Sequence, residues 1–79
     1  MVNAQYLEEE IKKSGLKKSF IAEKCGITLT TLGRKIGGKN EFTGNEIKVI
    51  SSLLGFTAKS VQLIFFANDV HSEVDKKGE

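Results

Sequence analysis

KSFIAEKCGITLTTLGRKIG, residues 18–37, holds two short helical patterns that meet at one glycine. The first covers roughly Lys18 to Lys24, with Phe20, Ile21 and Cys25 apolar. Gly26 follows it as a left-handed C-cap residue, a conformation glycine adopts without steric cost. Thr28 is the N-cap of the second, in which Leu32 and Ile36 face inward before Gly37-Gly38 ends it. Ala22 is small where the two helices cross, and Ile21, Cys25, Ile27 and Leu32 point into a core beneath them. The outer face of the second helix keeps Thr28, Leu29, Thr30, Gly33, Arg34 and Gly37, with no carboxylate among them. Glycine inside a helix costs about 1 kcal/mol relative to alanine. This face is therefore shaped for close approach to a ligand.

Outward from this stretch, glycines and polar caps punctuate a chain without proline into five helices, and no strand pattern competes. The first runs from about Asn3 to Ser14, capped by Asn3, with Ala4, Leu7 and Ile11 on one face and Gly15 as its stop. The fourth opens with TGNE at Thr43 to Glu46, the pattern of a capping box, and presents Ile47, Ile50, Leu53 and Leu54 before Gly55. Thr57 caps the fifth, which reaches about Ala67 with Ala58, Val61, Ile64 and Phe65 on one face. Its second apolar face, Leu63, Phe66 and Val70, needs covering: a second copy of the chain is the simplest partner, and the alternatives are a small core that wraps around this helix or a tail that folds back over it. Beyond Asn68 the segment HSEVDKKGE has no period. Residues 1–68 are expected to form one domain and 69–79 a frayed, flexible tail.

The chain has 79 residues, too few for two stable cores. No run of eighteen apolar residues suggests a membrane span, and MVNAQYLEEEIKK lacks the basic start and apolar centre of a signal peptide. A soluble, cytoplasmic protein is expected. The single cysteine, Cys25, has no disulfide partner and lies 46 positions from the single histidine, His71, so neither a metal cluster nor a nucleophile–base pair is in view. The GGKN at 37–40 lacks the first glycine spacing and the Ser or Thr of a phosphate-binding loop. No enzyme activity, cofactor or metal is expected.

The net charge is only +2, but its distribution is uneven. Glu8, Glu9 and Glu10 give the first eleven residues −3; residues 12–39 carry eight cations against Glu23 alone, +7; the rest of the chain is −2. The acidic triplet is expected on a solvated face of the first helix, on a side turned away from the ligand. Phe20, Phe42 and Phe56 each lie beside a helix boundary, where they are expected to form a lid on the core, and Phe66 is expected to be exposed.

The pattern of alanine, glycine, isoleucine and leucine in residues 18–37 resembles the helix-turn-helix of the phage repressor and Cro-like family. The five-helix plan over about residues 3 to 67 resembles that family's DNA-binding domain, and GGKNEFT resembles its glycine-basic loop. The resemblance implies an all-α lambda repressor-like domain whose second and third helices bind double-stranded DNA. The third helix would enter a major groove about 12 Å wide, with Leu29 and Thr30 near a thymine methyl or base edge. Gly33 would permit approach, and Arg34 would bond guanine O6 and N7. Thr28 divides between capping and phosphate contact. Lys18 at the start of the second helix is implied to contact phosphate or the flanking base, and Lys39 and Asn40 in the loop to contact phosphate, with Lys17 and Lys35 adding positive charge nearby. The family commonly caps the second helix with Thr or Ser, where this chain has Lys17.

Two subunits would read a pseudo-palindromic operator with recognition helices about 34 Å apart, pairing in solution or only on DNA through Leu63, Phe66 and Val70. The expected function is a transcriptional regulator, a repressor or Cro-like protein of a phage or mobile element. A second reading stays open: a modulator or antirepressor that keeps this fold and binds another phage regulator.

Overall fold

The computed structural model describes residues 2–66. Four of the five helices begin where a short polar side chain satisfies amides that have no carbonyl one turn earlier. In α1 (Ala4–Ser14) the Asn3 Oδ1 accepts from the Tyr6 N–H at 3.1 Å, and Gly15, at φ 76°, ends it. Helix α2 (Lys18–Cys25) starts at Lys17 without a side-chain cap. In α3 (Leu29–Ile36) Thr28 Oγ1 accepts from the Thr31 N–H at 3.1 Å. The full capping box opens α4 (Gly44–Leu54), with Thr43 Oγ1 on the Glu46 N–H and Glu46 Oε1 on the Thr43 N–H. Thr57 accepts from the Ser60 N–H at the start of α5 (Ala58–Phe65). That helix was expected to reach Ala67. It ends at Phe65, and Phe66 has left helical geometry at φ −126°. The expected tail, with Val70 and His71, lies outside the described residues.

The turn between α2 and α3 shows why Gly26 is there. At φ 75° it lets its own N–H reach the Glu23 carbonyl and the Ile27 N–H reach the Ala22 carbonyl, while Ile27 packs against the core. This is the Schellman arrangement, and an L side chain would strain it. Helix α3 is thereby set against α2 after a turn of only three residues, 26–28.

All five helices contribute to one core: Leu7 and Ile11 from α1, Ile21 and Ala22 from α2, Leu32 and Ile36 from α3, Ile50 from α4, Ile64 and Phe65 from α5. Burying each of the larger side chains stabilises the fold by about 1.5–3 kcal/mol. Helix α2 packs on α3 and α4, and α1 on α3, α4 and α5. The Asn3 N–H, donating to the Ile64 carbonyl, ties the start of α1 to α5. Among the described residues the protein is all-α, without a strand.

Two of the three expected lid aromatics take that place. Phe42 meets Phe65 edge-on at 5.2 Å between centroids, and Phe56 lies tilted at 6.4 Å from the same ring. Phe20 does not: it is 39% exposed, with the Lys24 Nζ 5.3 Å above its ring. Helix α2 is two turns long, and Ile21 and Ala22 occupy its inward side, which leaves the preceding residue on the outer flank. Ala58, expected inward, is also exposed at the first turn of α5.

Candidate nucleic-acid interface

The outward face of α3 follows from its inward one. With Leu32 and Ile36 buried, Leu29, Thr30, Gly33 and Arg34 are exposed, as are Thr28 and Gly37 at its ends. Leu29 is 51% exposed, the most open of the large apolar residues among those described. Gly33 lies within the helix at ordinary negative φ, and a Cβ built on it meets nothing within 4 Å. Neither backbone conformation nor internal packing requires glycine at this position.

The cations of residues 12–39 separate into free and engaged. Among the described residues Lys17, Arg34 and Lys39 are exposed and form no ion pair. Asn40 is exposed beside Lys39 in the loop after α3.

Lys35 corrects the sequence reading. Expected to add positive charge to the surface, it is 8% exposed, and its Nζ donates to Glu46 Oε1 at 2.6 Å. The same oxygen accepts the Thr43 N–H of the capping box. Burial alone would raise the Glu46 carboxyl; the hydrogen bonds from Lys35 and Thr43 and the neighbouring ammonium outweigh it and hold the group below the usual carboxylate range. The pair is a strut between the last turn of α3 and the first turn of α4.

Lys18, by contrast, is exposed but engaged: its Nζ sits 2.7 Å from Glu8 Oε1 and 2.9 Å from Glu8 Oε2. Glu8 reaches across from α1 to the first residue of α2. Sequence offered no signal for either pair, because partners ten and eleven positions apart on different helices have no fixed spacing.

Cys25 is half-buried beside this strut. Burial, and then the negative charge of Glu46, push its thiol above the usual range, so the unreactive protonated form is favoured. Leu63 on α5 is half-buried, and Phe66, just past its end, is 39% exposed. No helix among the described residues is long and apolar enough to cross a membrane. No protein-family model, curated protein or solved structure matches the chain.

Proposed function

We propose that the chain is a sequence-specific double-stranded DNA-binding regulator of transcription in the cytoplasm, a repressor or Cro-like protein of phage or mobile-element type acting as a homodimer on a pseudo-palindromic operator. The observation that carries this reading is Gly33. Its helix-propensity cost brings no internal gain, and it lies on an exposed helix face that carries Thr30 and Arg34 and no carboxylate. A helix that enters a major groove needs such a face: small where it approaches, long and cationic where it reads base edges.

Gly33→Ala separates the two demands on this position. With open space around the added methyl, it raises stability by about 0.4–1 kcal/mol, near 4–8 °C in Tm at the upper end for a domain of this size. The same methyl weakens operator binding. Thermal melts and DNA titrations of one preparation check both signs.

The function is tested by selecting from random duplexes with the purified protein at near-physiological salt. A palindromic consensus supports the reading, and the absence of enrichment ends it.

Phe20, Leu29 and Phe66, all exposed, favour a second reading in which the same fold binds another regulatory protein. Phe66→Ala distinguishes the two. Under the DNA reading it lowers operator affinity about tenfold through weaker dimerisation and shifts sedimentation toward monomer, while the consensus sequence is unchanged. Under the protein-partner reading Phe66→Ala abolishes function and Arg34→Ala does not.

A further inference from the structure

We infer that Glu8 is a built-in competitor for the DNA backbone, holding the Lys18 ammonium in the way a phosphate would and so setting the affinity of the protein for DNA. The inference rests on the DNA-binding reading and concerns the regulation of that same interface.

The geometry is that of a substitute ligand. Both carboxylate oxygens of Glu8 lie on one ammonium, at 2.7 and 2.9 Å, as two non-bridging oxygens of a phosphodiester would. The side chains are equally open, 43% exposed each, so the pair is not sealed in the core and a polyanion can reach it. Its anchors are fixed: Leu7, beside Glu8, and Ile21, one turn along α2 from Lys18, are fully buried, so neither helix must move for the ammonium to change partners. An open groove of about 630 Å³ between α1 and the start of α2, floored by Ile11 and Leu16, gives the lysine stem room to turn.

Solvent-exposed ion pairs of this kind are worth little to folding. Against DNA the same pair matters differently. A phosphate contact made by Lys18 competes with Glu8 for the charge and donors of the same ammonium, so wild type gains less from this lysine, and releases fewer counterions through it, than a chain with the lysine free.

The test is a double-mutant cycle on the selected operator, read as affinity against salt. Glu8→Gln is expected to tighten binding about two- to fivefold and to steepen the slope of log K against log salt by up to about 0.9 per subunit, the value of one added phosphate contact. Glu9→Gln, a neighbouring exposed carboxylate without an ion pair, measures the effect of net charge alone and is expected to be smaller. In a Lys18→Gln background, Glu8→Gln is expected to fall to that control level.

Equal effects of Glu8→Gln and Glu9→Gln overturn the inference, as does an undiminished Glu8→Gln effect without Lys18. Operator binding by wild type with either of these results defeats the inference alone. Wild type with no preference for any duplex defeats the DNA reading and the inference with it.

Discussion

Arg34→Ala is expected to erase sequence preference while leaving the fold intact. The side chain is exposed on the last turn of α3 and forms no ion pair among the described residues, so its removal leaves no buried group without a partner. A bidentate arginine–guanine contact contributes about 1–3 kcal/mol of discrimination. On a two-fold operator the loss occurs once per subunit, so titration of the selected site should show it roughly squared as a ratio of affinities. Binding to unrelated duplex should change much less, because Lys17 and Lys39 stay exposed and outside any ion pair among the described residues. A uniform drop on all sequences would make Arg34 a phosphate contact, and no change on the operator would remove α3 as the reading element.

The largest effect on stability is expected at Lys35, which Arg34 adjoins in sequence and with which it has nothing in common in space. Lys35→Ala leaves the Glu46 carboxylate nearly covered, with the Thr43 amide as its remaining partner and no counter-charge. Removing one member of a buried pair costs several kcal/mol, and about 2–4 kcal/mol is expected here, where each side chain keeps a small opening to water. For a domain of this size that is a large share of the total, so urea midpoints should fall steeply. Lys35→Met with Glu46→Gln should recover most of the loss. The glutamine amide oxygen still accepts the Thr43 N–H, and no charge is left buried.

The pH dependence has a definite sign. The Glu46 carboxyl is lowered in the folded protein, so its contribution is complete above the unfolded-state value near 4.5 and is lost as pH falls through the folded-state value. Wild type should therefore show acid destabilisation below about pH 4.5, and the double variant should lose that component. Operator binding by Lys35→Ala, measured where the protein is still folded, should weaken through loss of the α3–α4 strut, with the base preference retained.

What could be read along the chain was local. Asn3, Thr28, Thr43 and Thr57 each cap the helix expected of them, and Gly15, Gly26 and Gly55 end helices at positive φ. Caps and C-terminal glycines act within one turn, so their partners are at known offsets. The inward positions Leu7, Ile11, Ile21, Leu32, Ile36, Ile50 and Ile64 follow from helical period in the same way, and fixing them fixes the outward face of α3. The exposure of Leu29, Thr30, Gly33 and Arg34 is a consequence of that register.

The charges were not local, and there the tertiary structure decided. Lys35 and Lys39 are both cations at the end of α3 or just past it, yet one is buried against Glu46 and the other is free. Lys17 and Lys18 are adjacent, yet only the second meets Glu8. Phe20 lies beside a helix boundary as Phe42 does, yet only Phe42 finds Phe65. By itself, sequence determined five helices, their limits to within about two residues, and the face that α3 turns outward, because hydrogen bonds and periodicity within a helix depend on neighbours at set spacings. Which cations remain available on that surface depended on the carboxylates of α1 and α4, and the packing of separate helices alone brings those into reach.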